Sequence, residues 1–381
     1  MGYAEDLVQL LTSNGQVVSR FRIRQFLTEP LRNPLLSQRI AQVSPSQSFS
    51  ANPDVQKIVA SIVSIWRLLG AGDTAAALAA SIAAIGVVGA VIKLNSAPTD
   101  LIATPTLIAV LQGLAVISRH FSPAAKSGSQ AVLDALRLEY AHLRRDARAD
   151  PQKLTGMVIC LIEIIKICVI DRAANPGIVD SLLASAQGIL EPSALSKSVS
   201  TTFDFFLAKH LLFLDDFEHA RRRLLAAATN CHPQSANEAK ALFYLIPLQM
   251  SRGLFPTKKM LQKHPLLLAT YAPLIKSIKR CDLKTFHKLT SPDTLLARTF
   301  FGLLRRIERY IYRGLLRMIF QASGLTRRVD MALFDQFVFT SASVAEDIAA
   351  GLISEGLISG YMSYEERALM LTGPNPFPPL V

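Results

Sequence analysis

The chain reads as an all-α solenoid of TPR-like helical pairs ending in a winged helix. Three observations carry that reading. Amphipathic runs are punctuated by proline, one long helix carries arginine along one side, and the C-terminus shows a helix, two β-prone runs and a proline-rich tail. Half of the 381 residues are hydrophobic and only 18% are charged, with Ala and Leu prominent, so a large helical core is within reach.

The first fifty residues hold Pro30, Pro34, Pro45 and a Ser/Gln cluster, which predicts a partly flexible lead-in over 1–54. Helices are then expected over 55–69, 74–94, 106–121, 130–148, 154–170, 178–190, 195–214, 217–228, 236–251, 257–263, 265–279 and 283–289. Breaks fall at Pro98, Pro105, Pro123, Pro151, Pro176, Pro192, Pro233, Pro256 and Pro292. No strong repeat is visible, yet paired amphipathic helices in series suggest an array in which each pair buries its apolar face on its neighbours. The expected organisation is divergent helical repeats over 55–200, further helical repeats over 201–292, and a long helix, winged helix and tail over 293–381.

Residues 74–92 are uncharged and long enough to span a bilayer by length alone. They are mostly Ala and Gly, which add little transfer energy, and their small-xxx-small steps suit tight helix packing. A buried solenoid helix is the expectation, with no membrane. The N-terminus lacks a basic region followed by an apolar core, so no secretory signal is expected, and Asp6 stands where myristoylation wants Ser or Thr. Cys160, Cys168, Cys231 and Cys281 form no CxxC pair and are expected as reduced thiols.

At the C-terminus, Ser343 and Glu346 have capping-box spacing. Val344, Ile348 and Leu352 recur as an apolar stripe with Ala345, Ala349 and Ile353 beside it, and Gly356 stops the helix. Two β-prone runs, 358–364 and 367–371, flank Glu365 and Glu366, completing the second half of a winged helix. This helix carries Glu346, Asp347 and Glu355 and neither Lys nor Arg. Carboxylates against a phosphate wall repel, so sequence-specific groove reading by this helix is not expected.

The net charge of +12 is uneven. From Lys258 to Arg328 the chain holds sixteen Lys and Arg against Asp282, Asp293 and Glu308 alone. On the helix expected over 294–322, Arg298, Arg305, Arg306, Arg309, Arg313 and Arg317 fall within about 120° at 100° per residue. Leu296, Phe300, Leu304, Ile307, Ile311, Leu315, Met318 and Ile319 occupy the rest. Arginine matches phosphate in a fixed fork, so a nucleic-acid backbone is one fitting partner and acidic protein the other. Base-stacking aromatics are few there, and Phe320 is expected to pack internally.

No chemistry is signalled. The seven histidines show neither HxH nor HExxH spacing, and there is no phosphate loop, nucleophile elbow or dinucleotide fingerprint. The carboxylate pairs Asp215-Asp216, Glu346-Asp347 and Glu365-Glu366 sit at helix starts or turns, where the helix dipole or solvent favours them. A non-enzyme without cofactor or metal is expected.

Three stretches resemble a known family. Residues 203–235 look like a helical repeat with a DF-x-x-A step at Asp216, Phe217 and Ala220. Residues 241–257 match a YL(I/L)P…M…G…PT signature at Tyr244, Leu245, Pro247, Met250, Gly253, Pro256 and Thr257. Residues 356–363, a GxIxGYIS-like run with Met362 for Ile, lead to a terminal NPFPPL. Together they resemble the PCI domain, the scaffold module of proteasome-lid, signalosome and translation-initiation assemblies, and within it the PCI domain-containing protein 2 family. That family supplies the PCI subunit of the nuclear transcription-and-export complex 2.

The resemblance implies a nuclear scaffold near nuclear pores, coupling transcription to messenger RNA export. It implies pairing with a larger PCI-bearing scaffold of the germinal-centre-associated nuclear protein type, plus a small acidic extended subunit and a joint basic surface for nucleic acid. Candidates for that surface are Arg305, Arg306, Arg309, Arg313, Arg317, Arg327, Arg328, Lys276, Lys279, Arg280 and Lys284. Partner-interface candidates are Ile358, Tyr361, Met362, Tyr364 and Phe377. The competing expectation is another PCI assembly, signalosome-associated or lid-like, whose basic face meets acidic protein.

Overall fold

The structure, a computed structural model, describes residues 53–94, 110, 126–170, 175–190, 194–338 and 342–379. The expected lead-in, apart from its last two residues, and the helix expected over 106–121, apart from Val110, lie outside them. The chain divides into two compact units, Met1–Leu214 and Asp215–Val381.

In the first unit, α1 (Pro53–Gly70) and α2 (Thr74–Leu94) pack together. The turn between them places Gly72 at φ 80°, a left-handed conformation that favours glycine, and Asp73 Oδ1 accepts from the Ala76 amide. The uncharged run at 74–92 falls in α2, which packs on α1 and on α3 (Lys126–Asp146). Its Ala77, Ser81, Ala84, Ile85 and Val88 are buried. Among the described residues, no helix is long and apolar enough to cross a membrane.

Helix α3 packs on α4 (Pro151–Ile165), where Asp150 caps the first turn and Pro151 sits where no amide is needed. Helix α4 runs on as a π-helical turn, Lys166–Ile170, then come α5 (Gly177–Ala186) and α6 (Lys197–Phe213). One apolar core joins these helices, with Trp66, Tyr140 and the Met157–Ile165 run at its centre. Cys160 and Cys168 lie in it, and burial pushes the Cys168 thiol up to about 11.

The second unit opens with the pair α7 (Phe217–Asn230) and α8 (Ala236–Met250), then α9 (Lys258–Gln262), α10 (Pro265–Lys279) and α11 (Leu283–Leu289). The sequence signatures here are structural devices. Asp216 caps α7, and Ala220 is buried. Tyr244 and Phe243 meet Phe300 at ring-centroid distances of 5.5 and 5.4 Å. Gly253 turns with φ 77°, and Thr257 caps α9.

Helix α12 (Leu295–Ala322) packs on α8, α10 and α11, with one break from helical φ/ψ at Phe300, inside that aromatic cluster. Then follow β1 (Arg328–Asp330), α13 (Met331–Val338), α14 (Ala342–Ser354), β2 (Gly360–Ser363) and β3 (Ala368–Leu371). The expected two-stranded hairpin is a three-stranded antiparallel sheet of order β1-β3-β2, pairing Val329 with Leu369 and Leu369 with Met362. Strand β1 and helix α13 complete the winged helix, and neither was expected.

Helix α14 starts at Ala342, and Glu346 accepts from Arg367 Nε at 3.0 Å. Its inward stripe is Ala345, Ala349 and Leu352, while Val344 is exposed and Ile348 half-buried.

Candidate nucleic-acid and partner surfaces

Helix α12 presents the expected arginines, and the structure sorts them by what they touch. Arg313 is only 8% exposed and departs from the row. Its Nε donates to the Leu357 carbonyl at 2.9 Å, its Nη2 donates to the Pro378 carbonyl, and its guanidinium lies 5.8 Å from the Phe377 ring. A guanidinium whose donors meet two carbonyls of the same fold is a tether, which removes Arg313 from the phosphate-facing candidates. Burial, and the positive charge of Arg317, lower its pKa.

Arg305 and Arg309 turn toward the winged helix. Arg309 pairs with Glu355 at the end of α14, and Arg305 pairs with Glu308 at 3.1 Å. Both line a cavity of about 660 Å³ with Asp347 and Ile348 of α14. Arg328 lies 3.7 Å from Glu366, and Arg367 holds both Glu346 and Asp335. Glu346 of α14 and Glu355 just past its end thus meet arginines of the same chain, while Asp347 lines the cavity with Arg305 and Arg309.

Among the described residues, the site candidates without an ion pair are Arg306, Arg317, Arg327, Lys276, Lys279, Arg280 and Lys284, all exposed. Arg306 lies over Phe217, its guanidinium carbon 4.7 Å from the ring centroid, and Lys279 sits 5.8 Å from the centroid of the Phe255 ring. These positions leave cationic groups facing solvent and able to meet phosphate or carboxylate.

Glu308 is not on the basic face. It is 3% exposed, held by His287 Nε2 of α11 at 2.5 Å and by the Tyr312 hydroxyl at 2.8 Å. Burial acts to raise its pKa, but the hydrogen bonds from His287 and Tyr312 and the charges of His287 and Arg305 outweigh it. The carboxyl lies below its ordinary range. The cluster joins α11 to α12 and borders the cavity facing α14.

The partner-interface candidates also divide. Ile358 and Phe377 are buried within this chain, Phe377 against Phe320 at 5.8 Å, so both serve the winged helix's own core. Phe320 packs internally, as expected. Met362 is half-buried, while Tyr361 and Tyr364 are 57% and 64% exposed and remain available. Met318, placed on the apolar arc, is exposed as well. Among the described residues, no three His, Cys, Asp or Glu gather as a metal site.

The chain is 29% identical over 186 residues to the PCI domain-containing protein 2 homolog of Drosophila melanogaster, covering 46% of each chain. It is 28% identical over 191 residues to PCI domain-containing protein 2 of Xenopus laevis, covering 47% of this chain and 46% of that one. It is also 30% identical over 196 residues to the Protein CSN12 homolog of Schizosaccharomyces pombe, covering 49% of this chain and 46% of the relative. The chain thus spans about half the length of the curated relatives it matches. No family model matches it.

Proposed function

We propose that this chain, a relative of PCI-domain proteins, is a non-enzymatic scaffold subunit of a nuclear complex that couples transcription to messenger RNA export. The observation that carries the reading is its similarity to proteins called PCI domain-containing protein 2. In this reading the winged helix pairs with that of a larger PCI-bearing scaffold through the exposed Tyr361 and Tyr364. A small acidic extended subunit joins them. Arg306, Arg317, Arg327 and the lysines of α10 and α11 offer phosphate contacts. Such contacts are backbone contacts and carry little sequence preference.

The test is affinity capture of the tagged chain from nuclease-treated nuclear extract, with mass spectrometry of what stays bound. A large PCI scaffold with a small acidic subunit supports the reading. Recovery of signalosome or lid subunits instead overturns the export role and keeps the scaffold.

That second outcome has its own support. Relatives called Protein CSN12 homolog occur in Schizosaccharomyces pombe and Mycosarcoma maydis. The exposed Arg306, Arg317 and Arg327 can meet carboxylates of an acidic protein as readily as phosphates.

A further inference from the structure

The turn between α11 and α12 carries the hydroxyls of Thr290, Ser291 and Thr294, and two of them are committed. Thr290 Oγ1 donates to the Phe286 carbonyl at 2.8 Å, at the end of α11. Thr294 Oγ1 donates to the Ser291 carbonyl at 2.8 Å and accepts from the Ala297 amide, which caps α12. The Ser291 hydroxyl has no hydrogen-bond partner among the described residues. Pro292 follows it, and among the described residues Ser291 is the one Ser or Thr that precedes a proline. Residues 290–293 lie outside both helices, with Ser291 half-buried and Pro292 and Asp293 exposed. The Thr294 amide closes the turn on the Ser291 carbonyl at 2.9 Å. Extending the segment into another protein's cleft breaks the two bonds from Thr294 to that carbonyl and unwinds neither helix.

Ser291 also lines a cavity of about 320 Å³ with Phe286, His287, Phe301, Leu304, Arg305 and Glu308. The apolar side chains form its wall, and its polar end is cationic. The buried Glu308 carboxylate is already met by His287 Nε2, Arg305 Nη1 and the Tyr312 hydroxyl. Arg305 gives one nitrogen to that pair and its side chain is 64% exposed, so further donors remain. Lys288, in the last turn of α11, and Arg298, 4.0 Å from the exposed Asp293, add positive charge on either side of the turn. A group placed on Ser291 thus meets cations from both helices, with Asp293 and the already bonded Glu308 as the opposing carboxylates.

We propose that Ser291 is the acceptor of a proline-directed protein kinase and that Arg305 holds the resulting phosphate at this cavity, with His287 and Lys288 beside it. Pro292 brings no N–H to the position after the acceptor, which selects that kinase class. Ser291 Oγ attacks the γ-phosphorus of ATP in the kinase site. The new P–O bond forms as the bond to the bridging oxygen breaks, ADP leaves, and the hydroxyl proton passes to the kinase's catalytic carboxylate. The product adds a charge of about −1.5 to −2 and acceptor oxygens to the turn beside the Glu308 cluster. It draws on the donors that hold Glu308, and it lowers the charge of the basic stretch without removing a cation. The modification is independent of which assembly the chain enters.

The test uses the full chain with S44A, T104A and S122A, which removes the other Ser-Pro and Thr-Pro steps. A cyclin-dependent kinase and ATP are added, and occupancy of Ser291 is read by mass spectrometry. Near-complete phosphorylation of Ser291 is expected, and little in P292A. Phosphorus NMR then titrates the phosphoserine, whose second pKa is about 6 when unperturbed. Cations favour the dianion, so a value about one unit lower is expected, returning toward the unperturbed value in R305Q. His287, Lys288 and Arg298 add to the lowering, and Asp293 and Glu308 oppose it. R305K keeps the charge and should keep the lowering, which separates capture from a general disturbance of the Glu308 cluster. A chain left unmodified at Ser291 overturns the proposal. A phosphate whose pKa is unperturbed and indifferent to R305Q overturns its capture by Arg305.

Discussion

The guanidinium of Arg313, in the middle of α12, donates to the carbonyl of Pro378, sixty-five residues further along the chain. Its Nε meets Leu357, just before β2, and its face meets Phe377. One side chain thus clamps the long helix to both the winged helix and the tail that closes over it.

Arg313→Ala should cost about 2–3 kcal/mol, since charge-assisted hydrogen bonds are lost and two carbonyls are left without their donors. For a unit of this size that is about 4–12 °C in Tm. Arg313→Lys should recover little, because an ammonium cannot reach both carbonyls with the fork of a guanidinium. Differential scanning calorimetry reads the shift in the transition of the second unit. A Tm equal to wild type in Arg313→Ala would refute the clamp.

The Glu308 cluster gives this unit an acid-sensitive joint. Its folded carboxyl lies below its ordinary range, whereas the unfolded one titrates near 4.3. The contribution is therefore complete above about pH 4.3 and is lost as pH falls through the lower folded value. Glu308→Gln should lose about 2 kcal/mol at pH 7 by weakening the bonds to His287 and Tyr312. It should also flatten the fall in stability below pH 4.3. Denaturant unfolding of both proteins at pH 7 and pH 3.5 checks this; the gap between them should narrow at the lower pH.

Much of the fold was legible because its signals are local. The runs 74–94, 265–279 and 283–289 coincide with α2, α10 and α11, since apolar period and proline breaks lie within each segment. Strand β1 was not legible. Three residues, Arg-Val-Asp, carry no strand pattern, and only pairing with Leu369 makes them one. Helix α13 begins directly after it, its first turn capped by Asp330, whose Oδ1 accepts from the Ala332 amide, a one-residue signal that also ends the strand. The α14 stripe was read one position off because Ala345 and Ala349 are small, and the larger Val344 and Ile348 drew the assignment to the cavity side.

The basic site was legible as composition more than as geometry. Helical period places Arg313 on the arginine side, but no local signal says that a tail folds back over it. Glu308 follows Arg306 by two residues, about 200° around the helix, so its inward position was available from the angle rather than from the charge count.

Gly314 sits where α12 touches Cys281. A Cβ built there would overlap Cys281 Sγ but stand 3.8 Å from its Cβ, an ordinary contact. Ala for Gly in a helix interior is normally worth about 1 kcal/mol in favour. Overpacking against a short, half-buried side chain costs about 1–3 kcal/mol, so the net effect of Gly314→Ala should be destabilising by up to about 2 kcal/mol. Cys281→Ala in the same chain should restore stability to wild type or above, because the new methyl fills the place the sulfur leaves. A double variant no more stable than Gly314→Ala alone would show that the two residues are not in contact.

Ion pairing inside the chain predicts which cations meet nucleic acid. Arg305, Arg309 and Arg328 already face carboxylates, whereas Arg306, Arg317 and Arg327 do not. Each phosphate contact on a single strand adds about −0.7 to the log–log dependence of affinity on salt, so five contacts give a slope of about −3.5. Reversing Arg306, Arg317 and Arg327 to Glu should weaken binding of a single-stranded RNA and reduce the slope by about 2. Reversing Arg309 alone should act differently, repelling Glu355 and loosening the winged helix, with less change in slope. Titrations from 50 to 200 mM salt separate the two. A wild-type slope near zero, or one untouched by the triple reversal, would leave the nucleic-acid reading without support and favour an acidic protein on this face.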